Sequence, residues 1–138
     1  MDAKKRKRHR STASFTLSKS PYGEFAATQI FLYDRTQTLL VMGRCYIEDK
    51  EDEVLQVGLV LPAPDGESKG ELGPIPERVP FAYFDHYIGN EGIAYDAESG
   101  TFNITLIRQA QHLTGNFSFI SRGSEFVGTF NVNNFSEE

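Results

Sequence analysis

The chain has 138 residues, 39% of them hydrophobic, and a formal net charge of −5 at pH 7. This length fits one domain that buries its own hydrophobic core, and the single cysteine excludes an intrachain disulfide. No apolar run approaches the roughly 20 residues of a membrane-spanning helix, and none follows the N-terminal charges as in a signal peptide. We therefore predict a cytoplasmic protein without a membrane span, or a nuclear one in a eukaryotic or viral setting.

The first predicted element is a disordered basic arm at residues 1–12. The first ten residues contain six lysines and arginines and one aspartate, Asp2, so they carry about +5. Because the net charge of the whole chain is −5, the rest of the chain carries about −10. Such a run repels itself and is suited to contact nucleic-acid phosphates, an anionic surface or a nuclear import receptor. The alternative is a solubilising tail without a ligand. The candidate contact residues are Lys4, Lys5, Arg6, Lys7, Arg8 and Arg10.

Apolar alternation predicts four strands in the first half, at residues 13–17, 25–33, 38–47 and 54–61. In the third of these, Leu40, Met42 and Tyr46 interrupt the alternation. This indicates either a strand that is partly covered on both faces or one whose inner face the pattern does not identify. The acidic segment 48–53 lacks the spaced Asp, Asn and Gly order of a calcium loop, so no metal site is predicted there.

Residues 62–80 hold five of the six prolines, and we predict a long Pro/Gly-rich loop there. Proline removes a ladder donor, which excludes a central strand. The loop is either a functional lid or a disordered excursion. Residues 13–138 still form one domain, because neither half has enough strands to close a core alone.

A further strand is predicted at residues 81–88, and the last forty residues predict a meander. Residues 96–100 are predicted to form a hairpin turn between Ile93–Tyr95 and the strand that contains Phe102. A two-residue turn at Arg122–Gly123 then fixes the register of the final hairpin.

In this register a repeated Gly-x-Phe phrase places rings opposite glycines. Phe117 faces Gly128 and Phe130 faces Gly115, so that each ring covers the bare backbone of a cross-strand glycine. Two interpretations of the stripe stay open: a filled core, or the lining of a small barrel that holds an apolar ligand. The candidate residues are Phe102, Phe117, Phe119, Phe126 and Phe130.

These elements predict an all-β protein, a single antiparallel β-barrel or sandwich of about eight or nine strands with a C-terminal meander. Asp85 and His86 are neighbours in a strand and therefore point to opposite faces, so they cannot form a local catalytic dyad. Cys45 is expected to be a small buried core thiol. We predict no enzymatic activity, no cofactor and no metal.

The closing run has three parts, Asp96-x-x-Ser-Gly-Thr-Phe102, Leu113-Thr-Gly-Asn-Phe-Ser-Phe119 and Phe126-Val-Gly-Thr-Phe130. Together with the strand pair and the Pro/Gly-rich middle that precede it, this run resembles small bacterial calycin-like proteins of unassigned function. The resemblance implies a lipocalin-like antiparallel barrel with a binding or surface role. The chain differs from that group by its basic arm and by the lack of a lipobox cysteine.

The predicted function is a non-enzymatic binding or protein-interaction module for an unknown protein partner or a small apolar ligand. Homo-oligomer formation through an unpaired strand is an open option. The alternative is a nucleic-acid-associated structural protein, such as a capsid-like subunit, that uses the basic arm.

Overall fold

A computed structural model describes residues 13–35, 37–46, 53–62, 64–73 and 80–133. In these ranges the chain forms strands, joined by turns and one short 3-10 segment at Arg108–Ala110. The eleven strands are β1 (Ser14–Lys19), β2 (Phe25–Ala26), β3 (Gln29–Asp34), β4 (Thr38–Tyr46), β5 (Glu53–Pro62), β6 (Gly66–Glu71), β7 (Phe81–Ile88), β8 (Glu91–Asp96), β9 (Ser99–Ile107), β10 (His112–Ser121) and β11 (Ser124–Asn133).

The strands build two antiparallel sheets. Sheet 1 has six strands in the order β2-β1-β11-β10-β9-β6, and sheet 2 has five in the order β3-β4-β5-β7-β8. The all-β prediction is confirmed, and the described strands form a sandwich-like pair of sheets rather than a closed barrel.

The hydrophobic core lies between the two sheets. Sheet 1 contributes mainly rings and sheet 2 mainly aliphatic side chains, and both sets are buried because residues alternate between inner and outer faces along each strand. The ring of Phe84 in sheet 2 lies 5.1 Å from that of Phe126 in sheet 1, measured between centroids. This contact joins the two halves of the chain.

The predicted register of the last hairpin is confirmed. Phe117 is opposite Gly128 and Gly115 is opposite Phe130, with the turn at Arg122–Gly123. Both turn residues have positive φ, 53° and 79°, which matches the right-handed twist of the flanking strands. On the other side of β10, Phe117 lies opposite Phe102 of β9.

The prediction for residues 96–100 is wrong. β8 pairs with β7 in sheet 2 and β9 pairs with β10 in sheet 1, so this segment crosses between the sheets. Ala97 is buried at the crossing, where its N–H donates to the Ala82 carbonyl at 2.9 Å. The next N–H, that of Glu98, donates to the Ile120 carbonyl of sheet 1 at 2.9 Å. The meander is therefore limited to β9, β10 and β11.

The predicted loop at residues 62–80 contains a strand. β6 pairs along β9, with Ser68 opposite Ile104 and Gly70 opposite Phe102. Its sequence, Gly-Glu-Ser-Lys-Gly-Glu, has no apolar side chain, so alternation could not reveal it. Its place at the edge of sheet 1 agrees with the exclusion of a central strand.

The predicted strand at residues 25–33 is divided between the sheets. β2 pairs with β1 in sheet 1, and β3 pairs with β4 in sheet 2. At the corner between them, a Cβ on Gly43 would lie 2.8 Å from the Cβ of Ala27 and 3.0 Å from Cγ of Phe15. The close approach of β1, β4 and the corner at Ala27 explains both the break and the small residues.

Candidate functional site

The five phenylalanines of the predicted stripe lie in the core between the sheets. Each is at most 4% exposed. Their rings contact one another, with centroids 4.7 Å apart for Phe119 and Phe126 and 6.1 Å apart for Phe117 and Phe130. Phe15 of β1 completes the cluster at 5.3 Å from Phe130. The other predicted site, Lys4, Lys5, Arg6, Lys7, Arg8 and Arg10, lies outside the described residues.

The outer face of sheet 2 carries a candidate site that the apolar pattern of single strands did not reveal. We call it the aromatic face. Two of the chain's 11 phenylalanines and four of its 6 tyrosines lie on this face, together with aliphatic side chains and very few charges. Its members are Phe31, Tyr33, Leu40, Met42, Arg44, Tyr46, Val54, Gln56, Val60, Phe81, Tyr83, Asp85, Tyr87 and, opposite Tyr83 on β8, Asp96.

The register of sheet 2 arranges these side chains in rows across the strands. The central polar row runs from Arg44 of β4 through Gln56 of β5 to Asp85 of β7. Apolar rows lie on both sides of it, and Tyr33, Tyr46 and Tyr87 at the periphery are 42 to 49% exposed. A strip of hydrogen-bonding groups is thus framed by rings.

Glycines let two of the rings lie flat on the sheet. A Cβ on Gly58 would be 2.5 Å from the phenol oxygen of Tyr83, and one on Gly92 would be 2.4 Å from the ring of Tyr87. A ring over bare backbone covers the weak point in the strand and makes the outer surface flat. The same device that orders the core hairpin therefore also shapes the aromatic face.

Arg44 is held in place at the centre of the face. Its Nε donates to Oε1 of Gln56 at 2.8 Å, and its guanidinium carbon lies 5.4 Å from the centroid of the Phe31 ring. A guanidinium stacked on a ring and bonded to an amide keeps its remaining N–H groups in a fixed orientation.

Asp85 lacks such compensation. Burial raises the pKa of its carboxyl above the usual value, and the nearby Asp96 raises it further, whereas a hydrogen bond from Tyr87 lowers it. That bond is long, 3.4 Å between the phenol oxygen and Oδ2. Among the described residues, no lysine, arginine or histidine forms an ion pair with Asp85. A carboxylate is thus partly removed from water without a cation beside it.

The outer face of sheet 1 has the opposite character. Threonines, asparagines and serines make up most of it, and residues such as Asn103, Thr114 and Asn116 line open depressions there. Thr16 and Thr129 lie 3.3 Å apart at their hydroxyl oxygens, and His112 Nε2 lies 2.9 Å from Oδ1 of Asn131. These side chains satisfy one another and offer little apolar surface.

A second polar cluster lies at the end of the sandwich. Nε2 of His86 is 2.6 Å from Oε2 of Glu53, and the Tyr22 ring packs on the imidazole with centroids 4.6 Å apart. The Tyr22 and Tyr95 hydroxyls are 2.9 Å apart, and burial, followed by this bond, raises the pKa of Tyr22 to about 12. The phenol therefore stays protonated at neutral pH. The cluster fastens the β1–β2 turn to sheet 2.

The sequence predicted part of the arrangement around Asp85 and His86. Asp85 and His86 do lie on opposite faces of β7, as predicted, but the partner of His86 is Glu53 on the adjacent strand, which requires the register to be known. Cys45 is only partly buried, and burial raises the pKa of its thiol. In the described part of the chain, no group of three metal-ligating side chains comes together.

Comparison with known proteins found no matching family model, curated protein or solved structure. The resemblance to calycin-like proteins therefore stays a prediction. Over the described ranges, no helix has the length and hydrophobicity to cross a membrane.

Proposed function

We propose that the protein is a non-enzymatic protein-interaction module that binds its partner through the aromatic face. The observation that carries the proposal is the composition of this face, on which aromatic residues, Met42 and Arg44 are concentrated while lysine and glutamate do not occur. Protein interfaces are enriched in aromatic residues, methionine and arginine, and are depleted of most charged residues. An exposed apolar patch of this kind marks an interaction surface.

The arrangement of the side chains supports the same proposal. Residues that dominate binding energy are most often Trp, Tyr and Arg near the centre of an interface, surrounded by contacts that exclude water. Arg44 and Tyr83 lie in the two central rows of the aromatic face, and the rows that flank these two carry Val54, Val60 and aromatic rings. Because Arg44 is already fixed by Gln56 and Phe31, little side-chain entropy is left to lose on binding.

The position of Asp85 is a further argument for a partner. A half-buried carboxylate without a cation lowers the stability of the free chain. A partner that brings a donor to Asp85 would remove this penalty. Selection for folding alone would not favour an aspartate there.

A small apolar ligand between the sheets receives less support. The five phenylalanines that were candidates for a cavity lining contact one another in the core. Their packing leaves them no need of a ligand to fill the space between them.

The test compares two valine-to-lysine variants by affinity capture from extract of the source cells. Val60 lies on the aromatic face and Val127 on the outer face of sheet 1, and both are partly buried mid-strand residues. We expect the wild-type chain and Val127→Lys to retain a common protein that Val60→Lys loses. Tyr46→Ala, which removes a 49% exposed ring, is a second variant that leaves the core untouched. Retention of the same proteins by all four chains would overturn the proposal.

A further inference from the structure

We infer that the partner of the aromatic face is a second copy of this chain, bound in a symmetric dimer whose two-fold axis runs along β5. This inference rests on the proposed function and deepens it. A two-fold interface uses the same patch on both subunits, so the patch must be complementary to itself. The aromatic face has this property.

The strand order places β5 in the middle of sheet 2, with β4 and β7 on either side. When two copies of the sheet stack face to face about an axis along β5, the β4 of one copy covers the β7 of the other. Rows then face the same rows, because rotation about this axis does not shift the chain along it. Aligned sheets cross at about 30°, which displaces facing residues near the centre by only a few Å.

The facing pairs are chemically matched. Arg44 faces Asp85 of the second copy, Met42 faces Tyr83, and Leu40 faces Phe81, and each pair occurs twice. Val54, Gln56 and Val60 lie on the axis and face themselves. The pairs are an ion pair, a thioether on a ring and an aliphatic chain on a ring, all of which are favourable contacts.

Charge selects this axis over its neighbours. An axis along β4 would place Arg44 opposite Arg44, and an axis along β7 would place Asp85 opposite Asp85. Like charges that face each other across a desolvated interface are strongly unfavourable. Only the axis along β5 gives each Asp85 a cation and gives each Arg44 a carboxylate.

The area is sufficient. Five strands about 4.8 Å apart and roughly eight residues long at about 3.4 Å each span a face of about 650 Å². Two such faces bury about 1,300 Å², within the range of stable, specific interfaces.

The experiment uses charge reversal and sedimentation of the full chain. Arg44→Asp places a negative charge at both facing positions, and Asp85→Arg places a positive charge at both. In each variant, therefore, like charges face each other across the axis. We expect the wild type to be dimeric and each variant to dissociate with a Kd raised at least about tenfold. An equimolar mixture of the two variants should form a one-to-one dimer, since every facing pair is then of opposite charge.

Two controls accompany this test. Lys19→Glu reverses a 63% exposed charge on sheet 1 and should leave the dimer intact. If the charge variants fail to fold, Val60→Cys in a Cys45→Ser background is treated with a short bismaleimide. This position faces itself across the axis, so we expect a cross-linked dimer, whereas Thr129→Cys on sheet 1 should give none.

A chain that is monomeric at about 100 μM, where a standard-size interface is well populated, overturns the inference. So does a dimer that both charge variants leave unchanged, or one that cross-links equally at both cysteine positions. The proposed function would still stand if Val60→Lys alone loses a captured protein of another sequence. It falls with the inference only if no captured protein depends on the aromatic face.

Discussion

Asp85 is favourable for binding at the aromatic face but unfavourable for the stability of the free chain. Burial raises its pKa in the folded chain above that of the unfolded chain, which is near 3.9. A raised carboxyl pKa means that the folded state holds its proton more tightly than the unfolded state. The penalty is therefore absent below both pKa values, develops as the pH rises through them, and is fully present at neutral pH.

We predict that Asp85→Asn stabilises the monomer at pH 7 and has no effect at about pH 3, where the carboxyl is protonated in both states. Because Asp85 is about half exposed, solvent screening limits the gain to less than about 1 kcal/mol. The measurement is denaturant unfolding at both pH values, at protein concentrations below that of dimer formation. Glu67→Gln, on the exposed side of β6, is the control. A gain of equal size at both pH values would mean that ionisation is not its cause.

Phe117 is the residue that tests the packing of the core hairpin. A Cβ on Gly128 would lie 2.7 Å from Cζ of Phe117, so the ring rests on the cross-strand backbone. We expect Phe117→Ala to lower the free energy of unfolding by roughly 3 to 5 kcal/mol, because it removes a buried ring and leaves a cavity. Ile120→Ala, three residues along the same strand and 45% exposed, should change it by less than about 1 kcal/mol. Equal effects of the two substitutions in chemical denaturation would contradict this account.

At the scale of the strands, the sequence predicted those pairings that depend on residues close together in the chain. The β10–β11 register follows from one tight turn and from reciprocal pairs such as Phe117 with Gly128, which are all within a span of about twenty residues. β6 could not be predicted, since small side chains such as Ser68 face inward and charged ones such as Lys69 face outward. The change of sheet at Ala97 depends on hydrogen bonds to two distant strands.

The aromatic face lies between these cases. Leu40, Met42 and Tyr46 broke the expected alternation, and all three lie on the outer face of sheet 2. The pattern of one strand does not show which residues lie beside these side chains. The row from Arg44 through Gln56 to Asp85 forms only when β4, β5 and β7 are aligned. A binding face on a sheet is a property of register, and single-strand patterns do not contain it.

Gly43 and Gly58 form a matched pair of glycines on adjacent strands of sheet 2. A Cβ on Gly43 would meet Cβ of Ala27 and Cγ of Phe15, and the corner between β2 and β3 holds Ala27 in place. A Cβ on Gly58 would instead meet the free end of the Tyr83 side chain. We predict that Gly43→Ala destabilises the fold by about 1 to 3 kcal/mol through overpacking. Gly58→Ala should cost the monomer less than about 1 kcal/mol, because the phenol can turn away. Thermal or chemical unfolding of the two variants measures the difference, and a larger loss for Gly58→Ala would contradict it.

On the scale of the whole molecule, the sandwich presents two outer faces of different chemistry. The outer face of sheet 1 carries mainly hydroxyl and amide groups, some of which bond one another, such as Thr16 with Thr129, whereas sheet 2 exposes rings around Arg44. Antiparallel sheets commonly have one wet face. Sheet 2 departs from that pattern, because its outer face is as apolar as a surface that becomes covered.

Charge is also unevenly distributed in the whole molecule, and this gives the last prediction. The first ten residues carry about +5 and the remainder about −10. We expect the full chain to bind a DNA oligonucleotide at low salt and to lose this binding steeply as salt rises. The reason is that up to six lysines and arginines of the arm neutralise phosphates and release their counterions. Deletion of residues 1–10 should abolish the binding, since the remaining chain repels phosphate, while leaving the dimer of the aromatic face intact. Binding by fluorescence anisotropy and assembly by sedimentation, measured on both chains, separate the two properties. A truncated chain that still binds DNA would place the contact on the acidic body and contradict the assignment of phosphate contacts to the arm.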